Sequence, residues 1–401
     1  MAKTVCKILG VVFLLVGVAG FAKPDLLGAH LNPPHNVVHI VSGVIALYFG
    51  FAGSISGAKA FSLVFGVVYL ALGILGLAMG AGARAGRDKL TLVVPPALEP
   101  FGLWVEQLVA ESTGKNGTGI VPIAGEPLAE PEMYGTDRLF VRIRLHGSFD
   151  EEMRDAEVRA LRESGAPVVE IDLAEPSALG AEFVRWEIAT AVAGAILRIN
   201  PFDEPNVQQA KDATGAILQS YMTTHQLAMP APDRILPAGI ALTLSDAARD
   251  TLHGQGADAL LTLLRQGDYF GLLAYLGPDA ELAAVLQEFR RAVRDRTGAA
   301  TMFGYGPRYL HSTGQLHKGG PNTGVFLLIT ASPRQDVPIP GDPFSFGTLE
   351  QAQALGDFAS LGAEKRRALH AHLAAPDRVL VRQLAEGLLA RLQPDSARGS
   401  N

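Results

Sequence analysis

The chain has 401 residues, enough for two or three domains with ample core. Its net charge is −6, with basic and acidic residues interspersed, so no basic face favours nucleic acid. The single cysteine, Cys6, excludes an internal disulfide and fits a reducing compartment.

A charged fraction of 18% and a positive mean hydropathy are unusual for a purely soluble enzyme, and the apolar excess lies at the start of the chain. Residues 5–21, 37–55 and 61–79 form three apolar runs almost free of charge. Each is long enough to cross a hydrocarbon core of about 30 Å. Glycine recurs in all three, which suits close helix packing in lipid. The first run also fits a signal peptide, with Lys3 and Lys7 at its start and small residues at its end. Because two more runs follow directly, a multi-span segment over residues 1–83, contacting membrane lipid, is the expectation. His35 and His39 share a helix face and gain no further ligand nearby, so a structural interfacial role is expected. Basic residues flank the runs evenly and leave the orientation open.

From Lys89 the pattern becomes short apolar strands alternating with amphipathic helices. Strands are predicted at 90–94, 119–124, 139–145 and 168–173, with helices at 101–110, 150–163 and 181–199. A proline-rich stretch from Met229 reads as linker, and 229–267 is expected as linker and helix. A second set starts at 268, with strands at 269–276, 300–304, 325–330 and 368–373. Its helices are predicted at 280–295, 349–359 and 378–392. This is an α/β chain with mainly parallel, doubly wound sheets, divided at 88–228 and 268–395, with a disordered tail at 396–401.

Three strings stand out. Glu111-Ser112-Thr113-Gly114-Lys115 ends an apolar helix in a small-residue turn. Asn200-Pro201-Phe202-Asp203 precedes a helix carrying Lys211. Residues 306–324 contain His311, Gln315, His317, Lys318 and a glycine-rich turn at Gly319, Gly320, Asn322 and Gly324. Read alone, Glu111 is a helix-end carboxylate paired with Lys115, Lys211 a solvated lysine, and the glycines either an anion cradle or a tight turn.

Together these strings resemble phosphoglucose isomerases, and residues 88–392 resemble the isomerase part of bacterial bifunctional transaldolase/phosphoglucose isomerase proteins. The start of the chain, at His35-Asn36-Val37-Val38-His39 and at residues 67–73, is similar to a small family of bacterial membrane proteins of unknown function.

The resemblance implies a sugar-isomerase (SIS-like) fold and interconversion of glucose 6-phosphate and fructose 6-phosphate through a cis-enediol, without metal or cofactor. Glu111 is then the base, its pKa raised toward neutrality by partial burial. Lys211 acts by charge and His311 is the acid for ring opening. Ser112, Thr113, Lys115, His317, Lys318 and Asn322 are implied to bind substrate. Asp203 is expected to cap the following helix, with Pro205 in its first turn. In the usual isomerases the histidine lies between the glutamate and the lysine; here the order is Glu111, Lys211, His311. His146 occupies the usual interval without a supporting motif. The family's Ser-x-Ser-Gly-x-Thr phosphate loop has only a superficial echo at residues 54–59. A homodimer and a cytoplasmic enzyme part on a multi-pass membrane anchor complete the expectation. The rival expectation is a catalytically incomplete sugar-phosphate-binding module.

Overall fold

The computed structural model describes residues 2–22, 25–26, 29–30, 33–148, 151–203 and 205–392. The expected tail at 396–401 lies outside them, as does Asp150 at the start of a predicted helix.

The apolar start folds as a helical hairpin. Helix α1 (Ala2–Ala22) and helix α2 (Pro33–Phe51) flank two short paired strands, β1 (Asp25–Leu26) and β2 (Ala29–His30). Glycine lets the two helix backbones touch. A Cβ on Gly10 would lie 2.9 Å from the Gly43 carbonyl, and one on Gly17 would lie 2.8 Å from that of Asn36. His39 stacks on Phe13 with ring centroids 5.5 Å apart, a packing role. The His35 side chain lies outside the described residues. Helix α3 (Ile55–Arg84) joins the hairpin where buried Cys6 Sγ sits 3.2 Å from Ser62 Oγ. Ser54 caps α3 by accepting from Gly57 N at 2.9 Å, so the echo of a phosphate loop at 54–59 is a helix start. The outer side is apolar and open, with Ile8, Leu15, Val18, Tyr48 and Phe51 more than half exposed.

The first sheet follows. Its strands are β3 (Lys89–Val93), β4 (Val121–Ile123), β5 (Arg138–Leu145) and β6 (Val168–Leu173), in the order β4-β3-β5-β6 and all parallel. Helices α4 (Glu99–Thr113), α5 (Glu151–Glu163) and α6 (Leu179–Leu197) cross over between or after them.

Helix α3 runs into this unit without a break. Leu75 and Met79 are buried with Trp186, Ala189 and Ala193 of α6 in the core of the first sheet. A Cβ on Gly76 would lie 2.4 Å from the Ala189 carbonyl, so the two backbones are in contact. The third apolar run is therefore not wholly a membrane span, because its last third is a core helix of the α/β unit. Hydropathy reads both alike, since lipid and protein core accept the same side chains. Among the described residues, α1 is the helix long and apolar enough in full to cross a membrane, and His39–Phe51 forms a shorter apolar stretch. The expected set of three spans is thus reduced to one.

Helix α7 (Val207–Thr224) leaves the first unit and packs on the second, with Thr214 against Gly356. The second sheet has strands β7 (Arg234–Ile235), β8 (Ala241–Leu244), β9 (Tyr269–Tyr275), β10 (Ala300–Tyr305), β11 (Gly324–Ala331) and β12 (Arg367–Leu373). Their order is β10-β9-β11-β12-β8-β7, with the first four parallel and β8 and β7 antiparallel. Helices α8 (Asp246–Leu252), α9 (Ala280–Thr297), α10 (Gly314–Gly319), α11 (Phe346–Ala363) and α12 (Arg378–Leu389) complete the unit. The stretch 229–267, expected as linker and helix, instead contributes β7, β8 and α8. Leu242 and Leu244 bury in the core beside Leu369 and Ala371, so short strands were hidden behind the prolines.

The two sheets share a core in which Ala110, Val121 and Ile123 meet Tyr269, Leu273 and Phe326. A buried polar network pins them together. Glu126 Oε2 lies 2.9 Å from Arg138, Thr301 N donates to Glu126 Oε1 at 2.9 Å, and Arg290 donates to the Ala124 carbonyl at 2.9 Å. Burial pushes the Glu126 carboxyl up, but Arg138 and Arg290 hold it below the usual range. The chain is a mixed α/β protein with two largely parallel sheets and an apolar helix at its start.

Candidate functional site

The three strings noted in the sequence fold toward one another. Helix α4 ends at Thr113, whose hydroxyl donates to the Val109 carbonyl at 2.8 Å and accepts from Ile120 N at 2.9 Å. This buried pairing makes Thr113 a brace for the turn rather than a group open to substrate. Glu111 and Ser112, the two residues before it, are half-buried, with Gln107 donating to Glu111 Oε2 at 3.5 Å.

Lys115 is 1% exposed, and its ammonium lies 2.9 Å from Asp203 Oδ1 and also donates to the Asp203 carbonyl. Asp203 therefore spends its carboxylate on Lys115 and on Asn200, which donates to Oδ2 at 3.1 Å. It does not cap α7. Pro205 precedes the helix rather than entering its first turn, and Asn206 stands at the N-cap.

Gln315 on α10 joins the strings. Its Nε2 donates to the Gly114 carbonyl and to Asn206 Oδ1, both at 2.9 Å, and its Oε1 accepts from Asn206 N at 2.9 Å. Gly117 N donates to the Gly319 carbonyl at 2.9 Å beside it. Gly114 is required here, since a Cβ would come within 2.4 Å of Leu316 Cα.

A cleft of about 250 Å³ opens between α7, the turn at Arg308–His311 and α11. Lys211, Thr214, His311, Lys318 and Gln353 line it. Lys211 and His311 are exposed and give the cleft two basic groups on facing elements. Lys318 is 2% exposed and held 2.7 Å from Asp357 Oδ1, while Tyr309 donates to Asp357 Oδ2 at 2.6 Å. Its charge is largely neutralised by that carboxylate.

The remaining sequence candidates lie elsewhere. His317 is buried among Tyr269, Tyr309 and Phe326, and burial, then Lys318 and Arg366, push its pKa well below the usual histidine range. It is a neutral core ring. Asn322 is exposed in the turn before β11, where it donates to the Lys365 carbonyl at 3.3 Å, outside the residues that line the cleft. His146 is exposed at the end of β5. Among the described residues, no cluster of three or more metal-ligating side chains occurs. Lys211, His311 and Lys318 share the cleft. Glu111 is not among its lining residues.

Asn206, Asp357 and Tyr309 were missed as site-building residues. Gln315 had a signal in its place between His311 and His317, whereas Asp357 sits on a helix with no motif around it.

Residues 3–87 match the family described as "Domain of unknown function (DUF4383)". The chain is 31% identical over 170 residues to a glucose-6-phosphate isomerase of Rubrobacter xylanophilus, covering 33% of this chain and 39% of that protein. It is 28% identical over 158 residues to a probable glucose-6-phosphate isomerase of Methanococcus maripaludis, covering 31% and 36%. It thus has partial homology to glucose-6-phosphate isomerases and spans less than half the length of these relatives; a likeness to bifunctional transaldolase proteins is not shown. Among solved structures it aligns with a hypothetical protein of Thermus thermophilus at 13% identity and TM-score 0.30, covering 81% of this chain and 83% of that one. It also aligns with the C-terminal domain of glucosamine-fructose-6-phosphate aminotransferase from Francisella tularensis at 11% identity and TM-score 0.21, covering 80% and 93%.

Proposed function

We propose that the chain is a membrane-anchored aldose–ketose isomerase acting on glucose 6-phosphate and fructose 6-phosphate. Glu111 takes the proton from C2 of the open-chain aldose and returns it to C1, leaving the ketose after passage through the cis-enediol. His311 exchanges a proton with the ring oxygen during opening, and Lys211 steadies substrate oxygens by charge. The observation that carries the reading is the convergence of the Glu111, Lys211 and His311 segments on Gln315 at the edge of one basic cleft. Partial homology to glucose-6-phosphate isomerases supports it. A second copy of the chain, in a homodimer, would add residues to the site.

Helix α1 anchors the chain in lipid. The α/β units lie in the cytoplasm, where sugar phosphates are found. One observation favours a second reading, a sugar-phosphate-binding module without turnover: Glu111 does not line the cleft that holds Lys211 and His311.

The test is turnover of fructose 6-phosphate by the full chain purified in detergent, beside Glu111→Gln and Lys211→Met. Turnover lost on either substitution is expected. No turnover in a folded wild-type chain that still binds either hexose phosphate would favour the binding module. Partition of the full chain with the membrane fraction, in carbonate as well as in salt, tests the anchor.

A further inference from the structure

We infer that Gln315 is a positioning residue that holds the Glu111 turn and the start of the Lys211 helix in register with the His311 turn. The inference rests on the isomerase reading for its catalytic meaning and on hydrogen bonds for its geometry. Gln315 is 1% exposed, and its amide can offer two donors and an acceptor. All three partners fall on segments that carry a proposed catalytic group. The Gly114 carbonyl lies three residues beyond Glu111, and Asn206 caps the helix bearing Lys211. Gln315 itself lies four residues beyond His311.

The helix α7 N-cap makes no side-chain capping bond of its own, so its first turn is fixed from outside by Gln315 Oε1 accepting from Asn206 N. An apolar residue of the same length would release both the α4 turn and the α7 start. Preorganised geometry is where such a residue acts on rate: a misplacement of about 1 Å can cost about 100-fold. Substrate affinity, by contrast, depends little on it.

The experiment compares the full chain with Gln315→Met, Asn206→Leu and Asn206→Asp. Asn206→Asp keeps an acceptor for the Gln315 Nε2 donor and is expected to stay within about threefold of wild type. Gln315→Met and Asn206→Leu are expected to lower kcat about 100-fold with KM within about twofold. They should weaken binding of a five-carbon aldonate phosphate, whose planar carboxylate mimics the cis-enediolate, by a similar factor. Amide hydrogen exchange on the same proteins should rise together at residues 114–117 and at 207–211.

Unchanged kcat in both apolar variants, or equal losses in Asn206→Asp and Asn206→Leu, would overturn the assignment. If the wild-type chain has no turnover, the isomerase reading fails, and exchange alone decides the clamp: a joint rise upholds it and separate or absent rises refute it. Should Gln315→Met not fold, Asn206→Leu removes one of the same three bonds, that from Gln315 Nε2 to Asn206 Oδ1, from the less buried side.

Discussion

Lys115 and Asp203 pair at 2.9 Å across 88 residues of sequence and tie the turn after α4 to the turn before α7. The partners are unequal, with the lysine 1% exposed and the aspartate side chain 52% exposed. Removing the aspartate leaves a buried ammonium with only a carbonyl, whereas removing the lysine leaves a carboxylate that water can reach. Asp203→Ala is therefore expected to cost about 1–3 kcal/mol, and Lys115→Met less, in urea unfolding. Equal costs would show that the burial asymmetry does not govern the pair.

The continuity of α3 changes where the chain can be cut. Removal of residues 1–87 takes Leu75 and Met79 out of the first core, and that truncation is expected to be insoluble or to melt well below the full chain. A chain starting at Gly73, which keeps both side chains, is expected to fold. Within the full chain, Leu75→Ala and Met79→Ala should each cost about 2–5 kcal/mol. Folding of the shorter chain with an unchanged melting temperature would refute the structural role of α3.

Glu106, on α4 one turn before Glu111, is 3% exposed and is pushed up to about 7 by burial, against the pull of Arg290. The folded state then holds a proton that the unfolded chain releases above about pH 4.5. Wild-type stability should accordingly fall by on the order of 3 kcal/mol as pH rises from about 4.5 to about 7, and level off above. Glu106→Gln should lack this slope and be the more stable protein at pH 8. Parallel stability curves for the two proteins would contradict the assignment.

One hydroxyl serves two imidazoles at the end of the second sheet. Thr330 Oγ1 lies 2.7 Å from His370 Nε2 and 2.8 Å from His372 Nδ1. Burial, then His372, push His370 down to about 3, so the ring stays neutral in the fold and takes a proton in the unfolded chain below about pH 6.5. That contribution is present above about pH 6.5 and is lost as pH falls toward about 3. Thr330→Val removes the Thr330 bond from both rings, leaving His372 its 3.3 Å contact with Ser332 Oγ, and should cost about 1–3 kcal/mol near pH 7, read by thermal unfolding. A neutral result would mean that the rings find other partners.

Local pattern made most of the α/β order readable. Strands 168–173 and 269–276 and helix 280–295 sit where alternation and amphipathic spacing put them, because a buried strand or helix face must repeat its apolar residues. The motif strings were equally legible, since each is a continuous stretch. Strands β7 and β8 were not, because strands of two and four residues leave too few residues to show a period.

The sequence by itself determined that an apolar helical start precedes an α/β body and that three chemically suggestive strings are present. Only the tertiary structure decided that the third apolar run ends as a core helix, that Lys115 and Lys318 are paired with Asp203 and Asp357, and that His317 is a core ring. It also brought Gly114, Asn206 and Gln315 together. The reason is physical: hydropathy and spacing report which surfaces must leave water, while a charge's partner or an amide's acceptor depends on contacts between residues far apart in the chain.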